Sequence, residues 1–289
     1  MDEAGATKLT VRPFADWVAV TEGSAWVTVG RAVQRFDARD GAELARIPIP
    51  GAETCLAMDV GFDSVWVGSC DPVTPAIVRI DAATGAIGAV IPLELDFQFE
   101  GSLGAGEGAV WAVSIAPDQV LMKIDPATDS VVATYPLDGT FAGVRAAYGG
   151  VWITQPIDDA VLRVDPSTGS VVTSITVGDT PRFIAVGEGA VWAMNEVDGT
   201  VSRIDPATNR VVASIRVTAR PIQGGDIDVG GGSVWARVSD QLVARIDPVT
   251  NTVTARYGPA SGSGSVAADA QAVWVSAHDV NAVWRLPID

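Results

Sequence analysis

The chain has 289 residues, 19 of them basic and 35 acidic, and a formal net charge of −16. That charge argues against nucleic acid, which needs clustered Lys and Arg, and against docking on an anionic membrane surface. The 48% hydrophobic content argues against a disordered chain. No apolar run approaches the ~18 residues of a membrane span. One His and two Cys leave no multi-histidine or cysteine-cluster metal site.

Met1-Asp2-Glu3-Ala4-Gly5 lacks the basic and apolar parts of a signal peptide. The chain is therefore expected to be cytosolic or to have its leader missing. Lys8–Arg12 reads as one strand and Trp17–Val20 as the next. A unit then recurs to the C-terminus, marked by Trp26, Trp66, Trp111, Trp152, Trp192, Trp235 and Trp274 at gaps of 40, 45, 41, 40, 43 and 39 residues. Each Trp follows a Gly- or acid-bearing turn. After each comes a basic residue, an apolar one and usually Asp: Arg35-Phe36-Asp37, Arg79-Ile80-Asp81, Lys123-Ile124-Asp125, Arg163-Val164-Asp165, Arg203-Ile204-Asp205 and Arg245-Ile246-Asp247. The seventh copy reads Arg285-Leu286-Pro287.

In the clearest unit, strands are predicted at Phe183–Val186, Ala190–Ala193, Val201–Ile204 and Val211–Val217, bounded by Gly187-Glu188-Gly189 and Pro206-Ala207-Thr208-Asn209. The Asp-Pro-x-Thr-Gly/Asn turn has a physical basis. Asp caps the following amides, Pro presets φ, and the last residue accepts a positive φ. The final repeat has three strands and stops, whereas the N-terminus has one strand too many. The fold expected is all-β: a seven-bladed β-propeller of four-stranded antiparallel blades, one domain over 1–289, with residues 8–12 completing the seventh blade. One Trp and one basic residue per repeat are expected from packing, not from ligand binding.

Cys55 and Cys70 flank a hairpin whose centre, 62.5, is their midpoint, so they are predicted to face each other across two antiparallel strands. A cystine there implies an oxidising compartment. It tilts localisation toward secreted or periplasmic, with a cytoplasmic setting left open.

The loops joining second to third strands, and fourth strands to the next blade, share one face around the channel mouth. They diversify while the strands repeat, and function is normally grafted on such loops. Candidate ligand-binding residues there are Glu100, Gln155, Arg182, Asn195, Gln223, Arg237 and Asp279. Glu53, Asp96 and Glu100 make one side acidic, and Arg182, Arg220 and Arg237 the other basic. A mouth so polarised can orient a zwitterionic or anionic ligand. His278, whose ordinary pKa of ~6.5 suits proton transfer, falls after the second strand of the last repeat. Its repeat-equivalent in the fifth is Glu196, so the two are the candidate acid–base pair.

The unit Gly-x-Gly-x-Val-Trp … Val-x-Arg-Ile-Asp-Pro-x-Thr, complete within Val186–Asn209, resembles the virginiamycin B lyase-like group of propellers and the YVTN-type surface-protein repeats. The resemblance spans essentially the whole chain. It implies a seven-bladed propeller. For the lyase members it implies opening of streptogramins by a metal-assisted site of paired histidines and glutamates on one face of the funnel. Here His278 is the only histidine. The function expected is therefore a soluble, extracytoplasmic, monomeric propeller binding a small molecule or peptide at the funnel, without catalysis and without a cofactor. The alternatives are a lyase-like enzyme working through His278 and Glu196, with Mg or Ca as an option, and a protein–protein scaffold.

Overall fold

Short runs of Val, Ile and Ala, cut by Gly, Asp and Pro, form strands because β-branched side chains pack well on a pleated sheet and the breakers end each ladder. The computed structural model describes residues 5–51, 54–69, 74–94, 100–114 and 119–288, with the backbone alone for 54–56. After β1 (Thr7–Leu9), blade 1 is β2 (Ala15–Thr21), β3 (Ser24–Val29), β4 (Ala32–Asp37) and β5 (Glu43–Pro48). Blade 2 is β6 (Thr54–Gly61), β7 (Ser64–Ser69), β8 (Ala76–Asp81) and β9 (Ile87–Pro92). Blade 3 is β10 (Leu103–Gly106), β11 (Ala109–Val113), β12 (Val120–Asp125) and β13 (Ser130–Pro136). Blade 4 is β14 (Val144–Ala147), β15 (Gly150–Gln155), β16 (Ala160–Val164) and β17 (Val171–Thr176). Blade 5 is β18 (Pro181–Gly187), β19 (Ala190–Asn195), β20 (Thr200–Asp205) and β21 (Arg210–Arg216). Blade 6 is β22 (Asp226–Gly230), β23 (Ser233–Arg237), β24 (Val243–Asp247) and β25 (Thr252–Tyr257). Blade 7 is β26 (Val266–Ala268), β27 (Ala272–Ala277) and β28 (Ala282–Pro287), with β1 as its fourth strand.

The seven sheets are four-stranded and antiparallel, as the repeat predicts. The first strands touch in sequence around the ring, and β26 meets β2 to close it. The closing strand is shorter than the predicted 8–12. Thr7, Lys8 and Leu9 pair with Arg285, Trp284 and Val283. The ladder stops there because the Arg12 amide donates instead to Gln34 Oε1 at 2.8 Å, and Pro13 has no N–H to give.

Each repeated Trp is buried between two cross-strand neighbours. On its third-strand side lies the basic residue: Trp26 faces Arg35, Trp66 Arg79, Trp111 Lys123, Trp152 Arg163, Trp192 Arg203, Trp235 Arg245 and Trp274 Arg285. In blades 1 to 6 the cation sits 4.9–5.4 Å from the indole centroid, a cation–π arrangement. The same group then reaches the next blade. Arg35 donates to the Ala83 carbonyl, Arg79 to the Pro126 carbonyl and Asp129, and Lys123 to the Pro166 carbonyl. Arg163 donates to the Pro206 carbonyl and Asn209 Oδ1, Arg203 to Asn251 Oδ1, and Arg285 to the Ala38 carbonyl.

All these acceptors lie in the turn between third and fourth strands, whose shape the Asp sets. Asp125, Asp165, Asp205 and Asp247 each accept the amide two residues on, at 2.7–2.9 Å. The closing residue has positive φ: Gly169 at 70°, Asn209 at 57° and Asn251 at 58°. Hydrogen bonds from turn hydroxyls and amides hold Asp165, Asp205 and Asp247 below the usual carboxylate range. These acids are committed to the fold.

Arg245 is the exception. Blade 7 has no such turn, since its third and fourth strands come from opposite ends of the chain, and Arg245 keeps the bond to Ser233 Oγ of its own blade that Arg35 and Arg79 also make to Ser24 and Ser64.

Arg163→Ala removes the stack on Trp152 and the bonds to blade 5. It should cost about 2 kcal/mol and lower Tm by several degrees. Arg39→Ala, which breaks an exposed pair with Asp37 within one turn, should leave Tm unchanged. Equal effects of the two in a calorimetric melt would remove the inter-blade clasp as a source of stability.

Candidate functional site

The residue opposite each Trp on the innermost strand forms a ring at channel level: Ala19, Asp59, Gly104, Arg145, Ala185, Asp228 and Ala267. Part of this ring lines a cavity of about 220 Å³. Its charges bond neighbouring blades. Asp59 accepts the Ala105 amide at 2.7 Å, Asp228 the Ala268 amide at 2.8 Å, and Arg145 donates to the Leu103 carbonyl at 2.9 Å. One layer nearer the mouth, Asp226 accepts from Ser265 Oγ at 2.7 Å and the Val266 amide at 3.0 Å. Burial pushes Asp226 up to about 7 and Asp228 up to about 6.

At the mouth above this channel three first strands are irregular, β2, β6 and β18, and two of them bring charged side chains. The register slips between Ala15 and Val18 in β2 and between Pro181 and Phe183 in β18. Such bulges re-aim side chains, and the bulged residues here are charged: Asp16 and Arg182. Arg182 stacks over Phe183 at 5.4 Å and donates to Glu100 Oε2 at 2.7 Å. Its other terminal nitrogen lies 3.9 Å from Glu196 Oε2. Glu100 is held at φ 43°, a left-handed conformation uncommon for such a residue. Glu196 follows β19 and is 9% exposed; its Oε1 has no hydrogen-bond partner among the described residues. Burial raises its pKa, reinforced by Glu100 and opposed by Arg182 and by the backbone amides of Gly224 and Gly225 that face this carboxylate.

On the blade 7 side, His278 begins a short 3-10 turn, His278–Val280, and its Nδ1 lies 3.9 Å from Asp16 Oδ2. Asp16 is buried, which pushes it up to about 6; His278 counters this and Glu100 adds to it. His278 and Glu196 thus lie in blades 7 and 5, each with a different ionic neighbour.

The structure distributes the other predicted residues differently from the polarised mouth expected. Arg237 is fully buried, donating to the Ser276, Gly262 and Val238 carbonyls. Burial pulls it down to about 10. It joins blade 6 to blade 7 and offers no basic rim. Arg182 is balanced by the two glutamates. Gln155 is buried and donates to the Asp138 carbonyl at 3.0 Å. Asn195 is buried and donates to Thr200 and Ser202 hydroxyls at 2.9 Å. Asp279 accepts Ser261 Oγ and the Gly262 amide, holding the loop into blade 7. Gln223 is exposed, with its amide on Ser239 Oγ.

Of the predicted site, Glu100, Arg182 and Glu196 converge, and His278 stands near them beside Asp16. Asp16 is the residue the sequence reading missed. Its signal is positional: three residues before the channel ring the repeat has Gly101, Ala142, Gly225 and Gly264, but Asp16 in blade 1 and Arg182 in blade 5.

The side chain of Cys55, and Cys70 with it, lie outside the described residues. Backbone register bears on the midpoint estimate: Met58 pairs with Val67, but Thr54 pairs with Ser69 after a slip. No group of three His, Cys, Asp or Glu suited to a metal occurs among the described residues. The mouth carboxylates there face Arg182 or His278, so these residues do not fit the divalent cation that the lyase resemblance implies.

The architecture is that of a seven-bladed β-propeller, and solved structures agree. The chain is similar to the RRP9 WD40 repeats at 13% identity, covering 98% of this chain and 97% of that one, with a TM-score of 0.78. It is similar to the Pan2 WD40 domain of Neurospora crassa at 11% identity, over 96% and 90%, with a TM-score of 0.73. BamB from Moraxella catarrhalis matches at 14% identity over 93% and 84%, with a TM-score of 0.60. At these identities the likeness is one of fold. No protein-family model and no curated protein sequence matches the chain. No helix among the described residues is long and apolar enough to cross a membrane.

The raised aspartates Asp16, Asp226 and Asp228, with Glu196 raised beside them, make stability depend on pH. A folded-state pKa above the ordinary 3.8 means the native state holds its proton more tightly than the unfolded chain. Stability should therefore rise as pH falls through about 7 toward about 5, and fall again only when the turn aspartates protonate. Asp226→Asn should flatten that rise. A wild type that melts lower at about pH 5 than at about pH 8, or an Asp226→Asn variant with an unchanged slope, would contradict the assignment.

Proposed function

We propose that the propeller mouth binds a small molecule or peptide, without catalysis, by clasping a protonated amine. The observation that carries this is Glu196: a buried carboxylate with one oxygen lacking a donor among the described residues, close enough to Glu100 for their charges to raise its pKa. Asp16, Glu100 and Glu196 outnumber Arg182 and Arg237, the two arginines whose charges act on them, so the mouth has surplus negative charge. An ammonium group supplies both the missing donor and the missing charge, and charge-assisted bonds of this kind are the strong ones.

A lyase-like enzyme of the virginiamycin B lyase group is the catalytic alternative, and it would rest on His278 with Asp16 as its neighbour. The scaffold reading is supported by the exposed Phe14, held at φ 65° beside Arg12, Arg31 and Arg46 on the same face. An extracytoplasmic setting belongs to the proposal through Cys55 and Cys70. Thiol titration of the unreduced, denatured protein should then find no free thiol, and two free thiols would withdraw that setting.

The amine reading is tested by thermal shift with a panel of free amino acids, dipeptides and polyamines, against the matching N-acetylated compounds. Amine-bearing probes should raise Tm, N-acetylated ones should not, and Glu196→Gln should abolish the shift. Stabilisation by the acetylated set, or none by any amine, would overturn it. His278→Ala should leave binding intact.

A further inference from the structure

Beside the mouth, on the blade 1 sector of the same face, the chain presents a patch of opposite character. Arg12 lies in the segment between β1 and β2, Arg31 in the turn between β3 and β4, and Arg46 near the end of β5. With Phe14 and Val29 they line an open depression of about 600 Å³. All three arginines are exposed. Among the described residues, none of their guanidinium groups has a carboxylate within ion-pair distance or a hydrogen-bond acceptor. In a chain of net charge −16 that is unusual, because most other arginines are spent: on the blade clasps, on Glu100, on Asp37 or on buried carbonyls.

Phe14 is the second observation. It is 68% exposed and adopts φ 65°, a conformation costly for a bulky residue and kept only where surroundings enforce it. The enforcement is visible on both sides. The Arg12 amide donates to Gln34 Oε1 at 2.8 Å, the Gly30 amide to the Phe14 carbonyl at 3.4 Å, and the Ala15 amide to Asn281 Oδ1 at 3.1 Å. The ring is thus held largely out in water by a fixed backbone.

We propose that this patch is a docking surface for an acidic segment of a partner protein, with an apolar residue of that segment packed on Phe14. Arginine and aromatic side chains are the residues that dominate binding energy at protein interfaces. Three guanidinium groups select carboxylates. A fixed aromatic adds contact without ordering cost on this side. A simple anion leaves Phe14 unused. A nucleic acid meets the repulsion of the rest of the surface, because three arginines do not offset it. The patch does not depend on the amine reading of the mouth.

The test uses the full chain and a fluorescent peptide of alternating Glu and Leu, with a Glu/Gly peptide of equal charge, inorganic phosphate and single-stranded DNA as comparators. The Glu/Leu peptide should bind best, and more weakly at higher salt. The Arg31→Glu/Arg46→Glu variant should bind it at least about tenfold more weakly. Phe14→Ser should abolish the advantage of Glu/Leu over Glu/Gly. Both variants lie on the surface and should keep the wild-type Tm, and Arg210→Ala, on the exposed outer strand of blade 5, should leave peptide binding unchanged. The proposal is overturned if neither peptide binds at low salt, if phosphate or DNA competes as well as peptide, if Phe14→Ser has no effect, or if the wild type self-associates through the patch.

Discussion

The structure depends on one contact made blade after blade: a basic side chain lying on a buried indole and ending on the turn of the next blade. Each part needs the others. The indole face offers the cation an attractive surface away from bulk water. The Asp at the turn ties up the amides, so the carbonyls and the Asn or Asp at its end are left to accept. Arg163, on Trp152 and bonded to the Pro206 carbonyl and Asn209, shows the full set. Because every clasp points to the next blade, the ring has to close for the last one to be made, and Arg285 completes it on the Ala38 carbonyl.

The junction between blades 6 and 7 is where this scheme fails, and the buried charges gather there. Blade 7 takes its fourth strand from the other end of the chain and so has no turn to receive Arg245. At this junction Asp226 and Asp228 grip the amides of β26, and Arg237 grips the carbonyls of Gly262 and Ser276. Three charged residues in such surroundings carry a desolvation cost that a Trp-stacked clasp avoids. That cost appears as carboxylates pushed up and a guanidinium pulled down. Residues that look like a ligand site by type here bond blade 6 to blade 7, as Asp59 bonds blade 2 to blade 3 beside a clasp.

The mouth arises from departures from the repeat. Where β2 and β18 run out of register, Asp16 and Arg182 occupy a position that several other blades fill with glycine or alanine. Arg182 then draws in Glu100 and Glu196 from different blades. The adjoining blade 1 sector has spare arginines and a fixed exposed Phe14, so the face holds an acidic centre and a basic shoulder within one strongly acidic protein.

Sequence alone determined what recurs: the four-strand unit, the seven blades, the borrowed strand and the Asp turns. Those follow from local rules of spacing, capping and φ preference, which act within a few residues. It also named Glu100, Arg182 and Glu196 as loop residues facing the mouth. It could not tell that Arg237, Gln155 and Asn195 turn inward, because the acceptors that claim them are main-chain carbonyls or hydroxyls whose positions follow from the packing. Nor could repeat equivalence pair His278 with its neighbour. Equivalent positions share a height on the ring, but which charges meet across the mouth is set by where a strand bulges. Only the tertiary structure decided that Asp16, which no motif marked, stands beside the single histidine.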